Sequence, residues 1–121
     1  MNPLIGVVDD DASILRALQR LLGSAGFTVR TFGSGEELLA CDQLDVINCL
    51  VLDVHLGGLS GFELQERLRE ASLPIPIIFI TAHDDTPTRE RARRAGAVDY
   101  LRKPFDEYAL TWAIQKALDR A

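Results

Sequence analysis

The sequence has little of what marks a secreted, membrane-spanning or nucleic-acid-binding protein. Two cysteines, Cys41 and Cys49, are too few for a disulfide framework, and we interpret both as reduced residues in or near the core. The start, Met1-Asn2-Pro3, lacks the basic residues and apolar run of a signal peptide, and no stretch is long enough to cross a bilayer. The net charge of −5 argues against nucleic-acid binding by bulk charge. We therefore expect a cytoplasmic protein that binds neither nucleic acid nor membrane directly.

The length and composition suit one globular domain. At 121 residues, of which 47% are hydrophobic and 26% charged, the chain is long enough for one core and too short for two domains of ordinary size. It contains no linker, internal repeat or low-complexity segment. We expect a single domain over residues 1–121.

Short apolar runs alternate with helical patterns along the whole chain. Leu15, Leu18 and Leu22, for example, recur at helical spacing after the first run. The predicted strands cover residues 4–8, 27–32, 46–54, 77–80 and 98–101. Five strands in strict alternation with five helices predict an α/β fold, in which a parallel sheet is covered on both faces.

Polar residues mark the starts of the predicted helices. The stretches 34–37 and 60–63 both have the form of a capping box. Thr86, followed by a proline, is the predicted N-cap of the fourth helix, and Asp106 opens the fifth. Asp11 is interpreted as the cap of the first helix.

Residues able to hold a metal ion or a phosphoryl group follow four of the strands. Asp9 and Asp10 come directly after the first strand, and Asp53 ends the third. Thr81 ends the fourth strand, and Lys103 follows the fifth. Because ligands bind at the carboxyl ends of parallel strands, we expect these side chains to lie together.

Carboxylates crowded at one edge of a sheet repel one another, which a bound cation relieves. Mg²⁺ prefers one or two carboxylates together with water and phosphate oxygens. The hydroxyl of Thr81 and the ammonium of Lys103 add donors for phosphate oxygens. The set predicts Mg²⁺-dependent phosphoryl transfer, which relies mainly on positioning and charge neutralisation.

From Leu4 to about Leu118, the sequence resembles the receiver domain of bacterial two-component response regulators. The matching stretches are Val7-Val8-Asp9-Asp10, Leu50-Val51-Leu52-Asp53, Leu59-Ser60-Gly61, Ile80-Thr81-Ala82, Ala95-Gly96-Ala97 and Lys103-Pro104-Phe105. Each is weak alone, but their order and spacing together are specific, and residues 95–105 are similar to receivers of the nitrogen-fixation regulator type. The resemblance implies a flavodoxin-like, doubly wound sheet of strand order 2-1-3-4-5 in a three-layer αβα arrangement.

The resemblance also implies a role for each matching residue of the switch. Asp53 would be the phosphoacceptor, and Lys103 would pair with the phosphoryl oxygens. Thr81 would bind one of those oxygens after phosphorylation. Tyr100 matches the aromatic residue that turns inward as Thr81 moves, and Ala82 is small, as that motion requires.

The metal ligands are implied in the same way. Asp10 and Asp53 would bind Mg²⁺ directly, Asp9 would help through a water molecule, and the backbone carbonyl of His55 would be a further ligand. The Lys103–Pro104 peptide is expected to be cis, which is otherwise the minority form.

The implied function is signal transduction by a phosphoprotein rather than by an enzyme. A sensor histidine kinase or a phosphotransfer protein would donate the phosphoryl group to Asp53, and the domain would assist its own phosphorylation and dephosphorylation. The face made by the fourth helix, fifth strand and fifth helix would then change and control an output domain or a partner. We expect no output domain within residues 1–121, and a homodimer through that face stays open.

Two features are particular to this chain. Gly57 stands where many receivers have proline, and because glycine loosens a loop, we expect weaker Mg²⁺ binding than in a Gly57→Pro variant. His55 and His83 lie two residues past Asp53 and Thr81, at positions that tune the lifetime of the phosphoryl group in receivers. They are either such tuning groups, or solvent-facing loop residues, or, less favoured, a transition-metal site.

Other charged and aromatic residues have two interpretations each. The fourth predicted helix carries Arg89, Arg91, Arg93 and Arg94, which form either a solvated face or a partner surface. Trp112 is either packed in the core or an anchor at an interface.

Three other classes fit less well. A hydrolase of the haloacid-dehalogenase type needs a second acid two residues after its nucleophile, where this chain has His55, and also needs room for a cap domain. A flavin-binding domain needs a Ser/Thr/Gly-rich loop after the first strand, where three aspartates would repel phosphate. An interaction module without phosphorylation would not need Asp10, Asp53, Thr81 and Lys103 together.

Overall fold

The computed structural model describes residues 2–119 and contains a five-stranded parallel sheet. The strands are β1 (Leu4–Val8), β2 (Thr28–Phe32), β3 (Cys49–Asp53), β4 (Ile77–Thr81) and β5 (Asp99–Arg102). Their order across the sheet is β2-β1-β3-β4-β5, and every neighbouring pair is parallel. The predicted order 2-1-3-4-5 is confirmed. The direction of strand addition reverses between β1 and β3, and that is where an open α/β sheet binds its ligands.

Helices pack on both faces of this sheet. They are α1 (Ala12–Ser24), α2 (Gly35–Leu39), α3 (Gly61–Glu70), α4 (Thr86–Arg94) and α5 (Glu107–Asp119). Alternate residues of β3 point to opposite layers, as the pleat of a strand requires. Cys49 and Val51 pack with side chains of α1 and α5, whereas Leu50 and Leu52 pack with those of α2, α3 and α4. The predicted three-layer α/β fold is therefore confirmed.

The third strand is shorter than the apolar run 46–54 predicts. It begins at Cys49, and residues Leu44–Val46 form a 3₁₀ turn instead. Val46 is 52% exposed, so its place in an apolar run does not reflect burial in the sheet. An apolar run does not show at which residue the strand begins when the turn before it is also apolar, which explains the error.

The helix starts agree with the prediction at α1 and α3. Asp11 accepts a hydrogen bond from the Ser13 amide, as an N-cap does. At α3, the Ser60 hydroxyl accepts from the Glu63 amide and the Glu63 carboxylate accepts from the Ser60 amide, which is the predicted capping box.

The caps of α2 and α4 differ from the prediction. Ser34 caps α2, but the carboxylate of Glu37 accepts from the amide of Gly33, 2.8 Å away, so the box is not closed on Ser34. At α4 the N-cap is Asp85, and the predicted cap, Thr86, is already helical. Asp85 has the better acceptor, a carboxylate that receives the amide of the third helical residue at 2.7 Å.

Across residues 2–119, none of the helices has the length and apolar character needed to span a membrane.

Candidate functional site

Three carboxylates meet where β1 and β3 end side by side. Asp9 and Asp10 follow β1 directly, and Asp53 is the last residue of β3. One carboxylate oxygen from each lies within 4.8 Å of the other two. Asp9 and Asp53 are buried, whereas Asp10 is exposed. The sheet topology therefore brings together the three predicted acids and leaves the cluster open to solvent on the Asp10 side.

Lys103 bridges the two buried carboxylates. Its Nζ donates to Asp9 Oδ2 at 2.7 Å and to Asp53 Oδ2 at 3.1 Å. The backbone carbonyl of Thr81, at the end of β4, accepts from the Lys103 amide at 2.7 Å, which fixes the start of the β5–α5 loop. The predicted cis peptide at Lys103–Pro104 is present in the same loop.

Backbone amides orient the remaining oxygens of the cluster. Asp53 Oδ1 accepts from the amide of His55 at 3.0 Å, and Asp9 Oδ1 accepts from the amide of Asp11 at 2.9 Å. Asp10 Oδ2 accepts from the amide of Gly57 at 3.3 Å. Each of the three carboxylates is therefore oriented by a hydrogen bond from a backbone amide.

Burial sets the electrostatics of the cluster. Loss of solvation raises the pKa of Asp9 above its usual range, and the hydrogen bonds from Lys103 and Asp11 offset this only in part. Burial would lower the pKa of Lys103, but the hydrogen bond to Asp9 and the charges of Asp53 and Asp9 outweigh it, so that pKa is raised. One ammonium cannot neutralise three carboxylates, so the cluster keeps an excess of negative charge when its acids are ionised.

The donor set fits a hard divalent cation. Asp9, Asp10 and Asp53 offer only oxygen donors, and with Lys103 they carry a formal charge of −2 when ionised. Mg²⁺ binds such sites through one or two carboxylates and keeps several waters, for which the exposed side at Asp10 leaves room. The acidic cluster is therefore suited to the predicted ion.

Thr81 and Ala82 lie next to the cluster at the end of β4. Thr81 is completely buried, and its Oγ1 accepts from the backbone amide of His83 at 3.0 Å. Ala82, between them, is exposed. The hydroxyl therefore has a donor within its own loop, and its hydrogen is free to donate to another group.

The only two histidines in the chain are adjacent in space. The ring centroids of His55 and His83 are 5.4 Å apart and nearly perpendicular, at 79°. Both residues are exposed, and they come from the loops that follow β3 and β4. The structure thus brings together the two predicted tuning residues, one from the loop that follows Asp53 and the other from the loop that follows Thr81.

Tyr100, the predicted switch residue, has a partner that the sequence analysis missed. Its hydroxyl donates to Asp84 Oδ1 at 3.1 Å, and Asp84 Oδ2 also accepts from the guanidinium of Arg89. Burial, the hydrogen bond to Asp84 and nearby acidic charge raise the pKa of Tyr100 to about 12. Nothing in the sequence indicated the pair, because Asp84 lies in the loop before α4 and Tyr100 lies on β5, 16 residues away.

The turn after β3 passes close to the backbone of Asp53 because Gly61 has no side chain. Its amide donates to the carbonyl of Val54 at 3.0 Å. A Cβ at this position would lie 2.5 Å from the carbonyl oxygen of Asp53 and 3.1 Å from the Cα of Val54. The sequence marked Gly61 as part of a motif, but only the packing shows that a side chain there would push on the backbone of Asp53.

The arginines of α4 are exposed, but most have partners within the domain. Arg89 pairs with Asp84, Arg93 pairs with Glu90, and Arg91 stacks 4.4 Å from the ring of Phe62. Trp112 is 65% exposed, so its interpretation as a packed core residue is wrong.

Comparison with known proteins gives one consistent result. The family described as response regulator receiver domain matches residues 5–115. Nodulation protein W of Bradyrhizobium diazoefficiens is 47% identical over 117 residues, which are 97% of this chain and 52% of that protein. The transcriptional regulatory protein FixJ of the same organism is 40% identical over 117 residues, which are 97% of this chain and 57% of that protein. The chain therefore spans about half the length of these curated relatives.

Solved structures agree with the sequence matches. The structure of FixJ-N superposes with a TM-score of 0.90 at 35% identity and covers 100% of this chain and 97% of that one. The response regulator StyR superposes with a TM-score of 0.91 at 48% identity and covers 99% of this chain and 61% of that one. A receiver domain of DrrB, activated with BeF3, superposes with a TM-score of 0.88 at 33% identity and covers 99% of this chain and 100% of that one.

Proposed function

The chain belongs to the response regulator receiver domain family, as its sequence predicts, and from this premise we propose that it is a Mg²⁺-dependent switch phosphorylated on Asp53. The observation that carries the proposal is the contact of Lys103 with both Asp53 and Asp9, the two buried members of a cluster of three acids. A structural aspartate at a strand end has no need of a lysine from a loop 50 residues away. The phosphoryl donor is a sensor histidine kinase or a phosphotransfer protein.

In the proposed reaction, a carboxylate oxygen of Asp53 attacks the phosphorus of a phosphohistidine. The new O–P bond forms as the P–N bond breaks, and the donor imidazole leaves with the electron pair of that bond. The amide of His55 and the ammonium of Lys103 orient Asp53, and Lys103 stabilises negative charge on the transferred group. Asp10 and Asp53 would hold Mg²⁺ directly, with Asp9 acting through water and His55 through its carbonyl. When bound, the ion supplies charge neutralisation at the phosphoryl oxygens.

Phosphorylation would change the balance between two arrangements of the domain. The Thr81 hydroxyl would move away from the His83 amide and donate to a phosphoryl oxygen, and Tyr100 would turn inward past the small Ala82. The surface made by α4, β5 and α5 would then differ in the two states and act on an output domain or a partner, as a population shift. FixJ is a transcriptional regulatory protein, and we propose an output of that kind. A homodimer through the same surface is tested by sedimentation of the phosphorylated and unphosphorylated protein.

The adjacent imidazoles of His55 and His83 would set the lifetime of the phosphoryl group. They would order or obstruct the water that attacks the acyl phosphate. Ordering that water would assist dephosphorylation, whereas obstructing it would prolong the phosphorylated state. We expect phosphorylated His55→Ala/His83→Ala protein to decay at a rate different from that of the wild type. Equal decay rates would remove the histidines from the mechanism.

The test of the main proposal is intact mass after incubation with acetyl phosphate, with and without Mg²⁺. We expect one phosphoryl increment in the wild-type protein that depends on Mg²⁺, and none in the Asp53→Asn variant. Asp45→Asn, an exposed acid outside the cluster, is the matched control and should be phosphorylated like the wild type. No increment under any condition would leave an interaction module that does not use phosphorylation.

A further inference from the structure

The hydroxyl of Tyr100 is held by a small polar cluster on the loop between β4 and α4. Asp84 accepts from Tyr100 through Oδ1 at 3.1 Å and from Arg89 through Oδ2. The guanidinium of Arg89 also lies 5.9 Å from the centre of the Tyr100 ring. Asp84 itself is nearly buried, with 11% of its side chain exposed, whereas Arg89 is 64% exposed. Of the charged groups around the Tyr100 hydroxyl, namely Asp84, Asp85 and Arg89, only Asp84 is hydrogen-bonded to it.

The same loop also carries the partner of Thr81. Thr81 Oγ1 accepts from the amide of His83, the residue directly before Asp84. When the Thr81 hydroxyl turns away, the His83 amide loses this acceptor and the loop loses a tether one residue from Asp84. A change at Thr81 therefore reaches Tyr100 through one peptide unit and one side chain.

We propose that Asp84 is a positioning residue that holds Tyr100 in its unphosphorylated place and releases it when Thr81 leaves the His83 amide. This inference rests on the proposed phosphorylation switch and adds to it the residue that connects Thr81 with Tyr100. Asp84 makes no contact with the acidic cluster of Asp9, Asp10 and Asp53, so it acts on the switch and not on the reacting atoms.

A hydrogen bond to a charged acceptor is strong enough for this role. Such a bond shifts an equilibrium between two arrangements by about tenfold or more when it is present in only one of them. Because Asp84 is nearly buried, water competes little for its contact with Tyr100. An exposed pair on the same surface would do much less.

The test places 3-fluorotyrosine at both tyrosines and follows their ¹⁹F NMR resonances in the unphosphorylated protein. Tyr108, which is 76% exposed, is the internal reference for a tyrosine in solvent. The variants are Asp84→Ala, which removes the acceptor, and Asp84→Asn, which keeps an acceptor oxygen. Asp85→Ala is the matched control, because it removes the neighbouring aspartate and the cap of α4 without touching Tyr100.

We expect Asp84→Ala to move the Tyr100 resonance toward that of Tyr108, Asp84→Asn to restore most of the original shift, and Asp85→Ala to leave it in place. An unchanged resonance in Asp84→Ala would overturn the proposal. So would an equal change in Asp85→Ala, which would indicate general loosening of α4. This readout requires no phosphorylation, so it stands or falls separately from the function of Asp53.

The second measurement is the rate of phosphorylation by acetyl phosphate. Releasing Tyr100 raises the population of the arrangement that is phosphorylated. The Asp84→Ala variant should therefore be phosphorylated about tenfold faster than the wild type. A rate equal to or below that of the wild type, together with a moved ¹⁹F resonance, would refute the coupling to Thr81. Absence of phosphorylation in every variant, including the wild type, would instead contradict the proposed function.

Discussion

Replacing Gly61 with alanine should destabilise the domain and displace Asp53 at the same time. The added Cβ would lie 2.5 Å from the carbonyl oxygen of Asp53, whereas real Cβ atoms essentially never come closer than 3.0 Å to such a neighbour. The obstacle is backbone, not the end of a flexible side chain. The start of α3 or the end of β3 must therefore move by at least about half an ångström.

The cost follows from this forced movement. Overpacking of a tight site costs about 1–3 kcal/mol, and we expect about 2 kcal/mol for Gly61→Ala. For a domain of this size, that lowers the melting temperature by roughly 8 °C. A misplacement of 1 Å at a reacting group can slow a reaction by about a hundredfold, so half that distance predicts a phosphorylation rate on Asp53 roughly tenfold lower.

Gly23→Ala is the matched control, and it should raise the melting temperature where Gly61→Ala lowers it. Gly23 lies within α1, and a Cβ there would have no atom within 4 Å. Alanine in a helix is more stable than glycine by about 0.5–1 kcal/mol, which predicts a melting temperature higher by roughly 2–4 °C. Thermal unfolding by circular dichroism and phosphorylation by acetyl phosphate measure both variants. Wild-type stability and rate in Gly61→Ala would refute the argument, because they would mean that the turn after Asp53 yields without cost.

Three further predictions concern the acidic cluster and the cysteines. The folded-state pKa of Asp9 is raised above the ordinary value of 3.8, so stability is lost as the pH rises from that value through the folded-state pKa. In Mg²⁺-free buffer, Asp9→Asn should have a higher melting temperature than the wild type at pH 7 and the same melting temperature near pH 3. A difference in melting temperature that grows toward acid pH would contradict this. Gly57→Ala keeps the amide that Asp10 accepts and stiffens the loop, so it should bind Mg²⁺ about two- to fivefold more tightly, whereas equal titration curves would remove loop flexibility as the cause. Burial raises the pKa of Cys49 to about 12, so at pH 8 a thiol reagent should modify Cys41 alone, and two equivalents on folded protein would disprove it.

The comparison of Gly57 with proline involves two opposing effects. Glycine loosens the loop after Asp53, as the sequence suggests, but its amide also donates to Asp10 Oδ2 at 3.3 Å. Proline has no amide hydrogen and would remove that contact. The expectation of tighter Mg²⁺ binding in Gly57→Pro stays a prediction, and Gly57→Ala separates the two effects.

Much of the fold could be predicted because its signals are local. Buried strands such as β4 are continuous apolar runs, and α3 begins with its own capping box, so type and order of the elements follow from short stretches. The boundary errors are also local. Both Asp85 and Thr86 can cap a helix, and the apolar residue Val46 lies outside the strand it appears to join. In both cases the path of the backbone determines where the helix or strand begins, and the pattern of residues does not contain that information.

The sequence by itself determined which chemical groups stand at the ends of the strands, and the rules of parallel sheets then predicted that Asp9, Asp10 and Asp53 meet. Only the tertiary structure decided how these groups are held. Tyr100 contacts Asp84, and Gly61 packs against the Asp53 carbonyl. The two residues of each pair come from different parts of the chain and lie within a few ångströms of each other. Side-chain pairing and clearance depend on how the elements pack, and packing is a property of the whole domain, not of any segment that could be examined alone.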